Sequence, residues 1–396
     1  MKSVLRDAFF CYIHKRKKLM NEFYLHYLWK MKRLPIHLMQ LVDGRNFSLL
    51  DFGGYNEFEN GPDFKDGSIL LDELTWFGPI EMHINASDWY KHKHHLDANY
   101  NNVILHVVYN SDSEIIQNGR VLPTLELKSW IDLNHFKQYQ FLQKNKSSIP
   151  CENLFHTIPI EYWENMKNRS IINRLNRKDS FFQTTEEGDL KLIFLKFVAR
   201  AFGSNLNQQP FEQLLNLIDW ETLHKFSLDE FVSRLNFLAF SDESHLRIQW
   251  KTKGFRSVSN VPKRVEQFAV FLFNFEFEVE VFELNPKEII SKFETIFKQN
   301  GIYDKSLFIN FLINAVTPFI FKSTLNELKA RNDEDLVITL LKNLPPESNV
   351  FVKKWKNINV LSKSAFDSQA ALEIYQQFCT RKQCLNCSVG IKILNP

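Results

Sequence analysis

Glycine is scarce in this chain, with 12 residues among 396, and no stretch is apolar for the length of a membrane span. A helix that crosses a bilayer needs about 20 consecutive apolar residues, so the sequence predicts no membrane partner. Few glycines also mean few flexible linkers, whereas 37 phenylalanines supply large side chains for a core. We therefore expect a soluble globular protein of two or three domains.

The numbers of basic and acidic residues are nearly equal. Lys and Arg number 49 and Asp and Glu number 46, which leaves a formal net charge of +3. That balance is too mild to identify a nucleic-acid partner, so any basic surface must be local. The odd number of cysteines, five, does not suit a secreted disulfide framework. We expect a reducing compartment and a cytoplasmic protein.

The pattern of apolar residues changes along the chain. Residues 1–19 combine a short apolar patch with the run HKRKK, which predicts a basic N-terminal arm rather than a signal peptide. Residues 20–150 begin with one helix and continue with apolar runs typical of strands, so we predict an α/β domain there. Helical periodicity dominates residues 151–378, and residues 379–396 form a tail that contains cysteines.

Two acidic residues lie on consecutive predicted strands. Asp63 follows the turn ENGP, and Glu81 lies near the end of the next strand. Antiparallel pairing can bring such carboxylates side by side, where a Mg²⁺ or Mn²⁺ ion would relieve their repulsion. Period-two geometry puts His83 on the same strand face as Glu81, within reach of a water that attacks phosphate. The alternative is a purely structural role, in which Asp63 caps a turn and Glu81 pairs with an exposed lysine.

This stretch resembles the PD-(D/E)XK, or restriction-endonuclease-like, nuclease superfamily. Pro62-Asp63 corresponds to its Pro-Asp pair, and Glu81-Met82-His83 corresponds to its acid-x-Lys, with histidine in place of lysine. The histidine-rich stretch that follows is similar to the branch that contains the very-short-patch repair endonucleases. The resemblance implies a mixed sheet with flanking helices, metal-dependent hydrolysis of nucleic-acid phosphodiester bonds, and Asp63, Glu81 and His83 as catalytic residues.

Much of the chain also resembles an uncharacterised bacterial family. Its pattern reads GPDF, then W-x-G-x-(V/I)-E-x-H, then SDW-x-x-H-x-H-x-x-D, and this chain carries GPDF, WFGPIEMH and SDWYKHKHHLD. On a short helix His92 and His95 would share a face and could contact phosphate. A zinc hydrolase of the metallo-β-lactamase type is a further alternative, but its His-x-His-x-Asp-His spacing differs from the His-x-His-His-x-Asp found here.

The C-terminal tail contains three closely spaced cysteines, Cys379, Cys384 and Cys387. Three thiolates can bind a structural Zn²⁺ ion if a fourth ligand, such as Cys151, Cys11 or a histidine, comes from elsewhere. Some nucleases of the superfamily hold an iron–sulfur cluster in this manner. The alternative is that the three thiols pack as small apolar side chains.

One segment mixes cations with aromatic residues, as single-strand binding proteins do. In WKTKGFRSVSNVPKRVEQF the predicted nucleic-acid contacts are Lys251, Lys253, Arg256, Lys263 and Arg264. The segment NRSIINRLNRKD is a second candidate. Each is also compatible with a solvated helix face.

Two functions follow from these patterns. The first is a metal-dependent nuclease that acts on DNA or RNA, with the helical domain positioning the substrate. The second is a non-catalytic protein that retains the nuclease fold and binds nucleic acid or a ribonucleoprotein through the helical domain. Loss of the usual lysine favours the second.

Overall fold

A computed structural model describes residues 20–56, 60–179, 189–220, 225–241, 247–251, 261–326 and 333–395. The chain divides into two compact units. One contains the described residues up to Asn145 together with Leu394 and Asn395, and the other contains Lys146–Ile393. The predicted basic arm, residues 1–19, lies outside the described residues, and the residues from 379 to 393 belong to the second unit.

The first unit is built on a mixed sheet. Its strands are Phe47–Asp51 (β1), Gly54–Tyr55 (β2), Phe64–Leu71 (β3), Leu74–Asn85 (β4), Leu105–Asn110 (β5) and Thr124–Glu126 (β8), and a separate hairpin joins Ile116–Gln117 (β6) to Arg120–Val121 (β7). The strand order is β1-β3-β4-β5-β8, with β2 paired to β3. The β1, β3 and β4 strands are antiparallel neighbours, whereas β5 runs parallel to both β4 and β8.

The β3–β4 hairpin sets the register of the sheet. Asp72 and Glu73 both adopt left-handed backbone angles, with φ of 49° and 63°, as a two-residue turn of type I′ requires. Phe64 then lies opposite Ile80, so the residues just outside this pair, Asp63 and Glu81, are also opposite each other. The predicted antiparallel pairing is confirmed.

In the described residues of the first unit, three α-helices accompany the sheet, at Glu22–Lys30 (α1), Asp88–Lys91 (α2) and Leu133–Lys144 (α3). Helix α1 begins where the Asn21 side chain accepts a hydrogen bond from the Tyr24 N–H. Trp29 of this helix is fully buried, and its ring packs edge-on against Phe52 and Phe64. Helix α1 is thereby fixed beside the start of β3.

Helices dominate the second unit. The α-helices after residue 145 are Ile160–Asp179 (α4), Leu190–Gly203 (α5), Gln208–Asn216 (α6), Leu228–Phe240 (α7), Val261–Asn274 (α8), Pro286–Gln299 (α9), Lys305–Phe311 (α10), Thr317–Asn326 (α11), Asp333–Asn343 (α12), Val350–Lys356 (α13), Ala365–Glu373 (α14) and Ser388–Leu394 (α15). Leu312–Val316 and Ile374–Cys379 are π-helical. Phenylalanines such as Phe194, Phe271 and Phe311 form much of the core.

The expected combination of a mixed α/β part and a mostly helical C-terminal part is confirmed. Among the residues that the structure describes, no helix has both the length and the apolar character to cross a bilayer.

Candidate metal centre

Asp63 and Glu81 meet at the point where β3 begins. The Asp63 N–H donates a hydrogen bond to Glu81 Oε2 at 3.0 Å, and the Met82 N–H donates one to Asp63 Oδ2 at 2.9 Å. Each carboxylate therefore accepts a bond from the backbone of the other strand. The structure brings the two acids together, as the hairpin predicts, while their catalytic role stays a prediction.

Glu81 is held in an unfavourable electrostatic environment. Its side chain is 6 % exposed. Burial, and then the charges of Asp63 and Glu22, raise the pKa of Glu81 to about 9, although the bond from the Asp63 N–H opposes the rise. A buried carboxyl group beside two others is an arrangement that a bound cation would stabilise.

Helix α1 supplies two further side chains on one face. His26 Nε2 lies 3.1 Å from Asp63 Oδ2. Burial and the charge of Asp63 raise the pKa of Glu22, whereas the neighbouring His92 and His26 oppose this rise. Glu22 and His26 are four residues apart, which places them on the same side of the helix. Sequence reasoning missed His26, although its spacing of four residues from Glu22 was a usable signal.

Three histidines converge on Glu81. One ligand nitrogen each from His83, His92 and His94 lies within 4.8 Å of the other two. His83 Nε2 is 3.1 Å from His92 Nδ1, and His94 Nε2 is 3.4 Å from Glu81 Oε1. Glu81 Oε1 also lies 3.7 Å from His83 Nε2. Three imidazoles thus face one another, and the Glu81 carboxylate lies beside two of them.

A single left-handed residue explains why His94 is in the group and His95 is not. Helix α2 ends at Lys91, and Lys93 has φ of 63° before a 3-10 helix at His94–Leu96. The chain therefore turns between His92 and His94, and both face His83. The His95 ring instead packs edge-on against Tyr90 at 5.1 Å. The predicted helix face shared by His92 and His95 is wrong, because the helix does not continue through Lys93.

A second layer of side chains orients the imidazoles. His83 Nδ1 lies 2.9 Å from His106 Nε2 on the neighbouring strand β5, so one of these nitrogens donates a hydrogen bond to the other. The Tyr100 ring stacks on His94 with ring centres 3.8 Å apart. The buried Trp89 packs edge-on against His83 and His106. Sequence reasoning missed His106, which only the pairing of β4 with β5 brings to the site.

The buried histidines are held in their neutral form. Burial and then neighbouring imidazoles lower the pKa of His83 to about 2, of His94 to about 4 and of His106 to about 3. Neutral imidazole is the form that binds a metal ion. A base of such low pKa is a poor proton acceptor near neutral pH, so the position of His83 suits a ligand better than a general base.

The donor set also bears on which metal would bind. Magnesium and manganese suit oxygen ligands, whereas imidazole suits zinc, copper, iron and nickel. Three nitrogens with one carboxylate oxygen therefore fit a transition metal ion. Asp63 lies beside this group rather than within it, because the short nitrogen-to-oxygen distances of His83 and His94 are both to Glu81.

The predicted nucleic-acid contacts have different outcomes. Lys251 and Lys263 are exposed, while Lys253 and Arg256 lie outside the described residues. Arg264 is 8 % exposed, and burial lowers the pKa of its guanidinium. A surface contact through Arg264 is therefore wrong as predicted, because this residue faces the inner side of helix α8.

The cations at the end of helix α4 have partners within the second unit. Arg174 and Arg177 form ion pairs with the buried Glu373, and Lys178 donates a hydrogen bond to Asn314 Oδ1 at 2.7 Å. The Arg177 side chain is 44 % exposed, whereas that of Arg174 is 15 % exposed. A nucleic-acid contact through this segment stays a prediction.

The first unit is a mixed α/β fold with a cluster of acids and histidines at one end of its central strands. The sequence profile of a family described as "Protein of unknown function (DUF2851)" matches residues 22–261, and the chain belongs to this family. The prediction of an uncharacterised family is thereby confirmed, and the likeness to PD-(D/E)XK nucleases stays a prediction. Searches of curated proteins and of solved structures found no match.

Proposed function

We propose that this protein is a metal-dependent nuclease that hydrolyses phosphodiester bonds in DNA or RNA. The observation that carries the proposal is the group of three imidazole nitrogens beside Glu81, whose carboxylate meets Asp63 across the hairpin. Paired carboxylates beside neutral imidazoles form a site for a divalent cation, and such a cation is the usual means of neutralising charge on a phosphate.

His83, His92, His94 and Glu81 would hold the metal. When bound, a divalent ion polarises a phosphate oxygen and makes water a stronger nucleophile at neutral pH. Zinc suits the imidazoles of this donor set, and manganese, which the sequence already predicts, suits its carboxylates. The proton on Glu81 would leave when a cation binds, since ligating carboxylates are deprotonated.

Other side chains would orient the reacting groups. Asp63 is 23 % exposed, so it can accept a hydrogen bond from a water or a substrate hydroxyl. His26, 3.1 Å from the same carboxylate oxygen, can hold or return that proton. His83 contacts His106 through its second nitrogen, which fixes the orientation of its ring.

One observation favours the non-catalytic alternative. The position that holds lysine in the PD-(D/E)XK pattern is occupied by His83, which is 1 % exposed and neutral. It cannot supply the cationic side chain that lysine provides. A protein that binds nucleic acid or a ribonucleoprotein without cleaving it would tolerate this change.

A cleavage assay separates the two functions. The full chain is stripped of metal, supplied with Mn²⁺, Zn²⁺ or Mg²⁺, and incubated with labelled single- and double-stranded DNA and RNA. We expect cleavage with Mn²⁺ or Zn²⁺, and a loss of more than about 100-fold in Asp63→Asn and Glu81→Gln, typical of removing a group that acts in the transition state.

Glu114→Gln is the matched control, because Glu114 is an exposed carboxylate of the same unit. It should cleave like the unaltered protein. Binding that weakens with salt but gives no cleavage with any of the three metals would reject the nuclease in favour of the non-catalytic protein.

A further inference from the structure

One face of strand β4 carries an exposed aromatic side chain in line with the candidate metal centre. Side chains two residues apart on a strand point to the same side of the sheet, so Phe77, Pro79, Glu81 and His83 share a face. Phe77 is 77 % exposed, the largest exposed fraction among the described large apolar side chains. At about 3.4 Å per residue, its backbone lies about 14 Å from that of Glu81. A polymer bound at the metal centre can therefore reach this ring.

A cleft with a volume of about 620 Å³ begins at Phe77. It is lined by Trp76 and Phe77 of β4 and by Gln117, Asn118 and Arg120 of the β6–β7 hairpin. Among its lining residues, all of which belong to the described part of the chain, Arg120 is the one with a charge. A volume of this size is typical of sites for small molecules. The cleft thus combines aromatic rings, side-chain amides and one cation.

A second cleft, of about 340 Å³, shares Pro79 with the first. It is also lined by Pro62, the residue before Asp63, and by the exposed Lys65. The two clefts therefore adjoin at Pro79, and together they extend from Phe77 to the neighbour of Asp63.

Three consecutive residues connect both clefts to the histidines. Asn99 lines the smaller cleft and Asn101 the larger one, while the Tyr100 ring between them stacks on His94. The Gln117 amide donates a hydrogen bond to Asn101 Oδ1 at 3.0 Å, which fixes the β6–β7 hairpin against this segment. The buried Oε1 of Gln117 has no hydrogen-bond partner among the described residues. A donor on a bound molecule would stabilise such an acceptor.

We propose that these clefts bind single-stranded nucleic acid, with one unpaired base stacked on Phe77. The inference rests on the proposed function, because it takes nucleic acid as the ligand of the first unit. Aromatic rings stack on bases of any sequence, and polar side chains form hydrogen bonds with the edges of unpaired bases. Arg120 and Lys65 supply positive charge for the phosphates at the two clefts.

The exposed ring distinguishes a single strand from a duplex. In a continuous duplex each base is paired and stacked on its neighbours, so a base that reached Phe77 would have to flip out at the cost of unstacking. A single strand presents its bases without that cost. The substrate class is therefore a single strand, or an unpaired segment within a longer nucleic acid.

The test measures binding of a fluorescently labelled DNA or RNA strand, alone and paired with its complement, to the metal-free full chain. Fluorescence anisotropy should show tighter binding of the single strand. Phe77→Ala should weaken that binding about 5- to 100-fold, the effect of removing one stacking side chain, and should change binding of the duplex little. Phe77→Trp should retain tight binding, because an indole ring also stacks on bases.

Leu74→Ala is the matched control, because Leu74 is a 65 % exposed apolar residue of the same strand and lines neither cleft. Arg120→Gln provides an independent measurement. The slope of log affinity against log salt should fall by about 0.7, the value for one phosphate contact on a single strand. Equal binding of single strand and duplex by the unaltered protein, or equal affinities of Phe77→Ala and Leu74→Ala, would overturn the inference.

Cleavage of the same strands separates this inference from the proposed nuclease activity. Binding that depends on Phe77, without cleavage in the presence of Mn²⁺, Zn²⁺ or Mg²⁺, would reject the nuclease and retain the single-strand site. Cleavage that is lost in Glu81→Gln, but is equal for single strand and duplex and unchanged in Phe77→Ala, would retain the nuclease and reject the single-strand site.

Discussion

His92 is the most accessible of the three clustered histidines, so it is the best position at which to test metal binding. It is exposed, whereas His83 is 1 % exposed and lies against His106. His92→Ala should therefore leave the fold intact while removing one ligand. Loss of an outer partner of a metal site costs roughly 10–100-fold in affinity, and loss of a direct ligand should cost at least as much.

This prediction is checked by titrating the metal-free chain with Mn²⁺ and Zn²⁺ by calorimetry. His95→Ala is a close control, because His95 is an exposed histidine three residues away that packs against Tyr90. Equal weakening in the two variants would mean that the histidine cluster is not the binding site.

Glu81 should make the metal-free protein less stable as the pH rises. Its pKa is about 9 in the folded chain, against an ordinary value of 4.5, so the folded state keeps a proton that the unfolded state releases. Stability therefore falls between these two values, by at most about 1.4 kcal/mol per pH unit. Glu81→Gln removes this contribution and should flatten the dependence.

Urea denaturation of the metal-free protein between about pH 7 and pH 8.5 measures the effect, since the histidines contribute little above their ordinary pKa of about 6.5. Glu114→Gln should retain the slope of the unaltered protein. The same slope in Glu81→Gln would show that Glu81 is ionised in the folded state.

At the scale of elements, the close approach of β4 to the segment after helix α2 depends on a glycine. A Cβ atom on Gly78 would lie 2.5 Å from the Asn102 carbonyl oxygen and 2.7 Å from the Ile104 side chain. Gly78→Ala should displace this segment and destabilise the protein by about 1–3 kcal/mol, as overpacking does. The glycine of the WFGPIE sequence therefore has a packing role.

Chemical denaturation compares Gly78→Ala with Gly54→Ala. Nothing lies within 4 Å of a Cβ atom built on Gly54, and this residue lies on the short strand β2 of the same unit. Its substitution should change stability by less than about 0.5 kcal/mol. Similar values for both would show that the segment after α2 yields to the added methyl group.

The parts of the site that depend on local pattern could be predicted, and the parts that depend on distant pairing could not. Asp63 and Glu81 meet because a short hairpin fixes their register, which period-two alternation indicates. His94 joins the group because Lys93 adopts a left-handed conformation, and lysine gives no signal of that. His106 arrives through a parallel strand that is reached only after a crossover.

The same distinction applies to the helical unit. Amphipathic periodicity predicts helices such as α5 and α7 well. The inward direction of Arg264 and Arg174 follows from partners and packing far along the chain. Periodicity alone does not distinguish a cation at the surface from one buried in an ion pair.

At the scale of the whole molecule, the buried histidines should make the protein sensitive to acid. The pKa values of His83, His94 and His106 are about 2, 4 and 3 in the folded chain, below their ordinary value of 6.5. The unfolded chain therefore takes up protons as the pH falls through 6.5, while the folded chain does not. The contribution of these histidines to stability should be complete above this pH and decline toward about pH 4.

Urea denaturation of the metal-free chain between about pH 7 and pH 5 tests this dependence, and the first unit should unfold at lower urea in acid. His156→Gln provides a control, because His156 is an exposed histidine of the second unit. A denaturation midpoint of the first unit that does not change over this range would contradict neutral buried imidazoles.

The π-helical segment Ile374–Cys379 has a consequence for how sequences of this kind can vary. A π-bulge accommodates one more residue than an α-helical turn does, and each residue of an α-helix advances the chain by about 100°. Because the wide turn itself absorbs the extra residue, deletion of Gln376 would restore a regular helix and leave the residues beyond the turn on nearly the same faces. One residue can therefore be gained or lost at this turn without rotating the segment that follows.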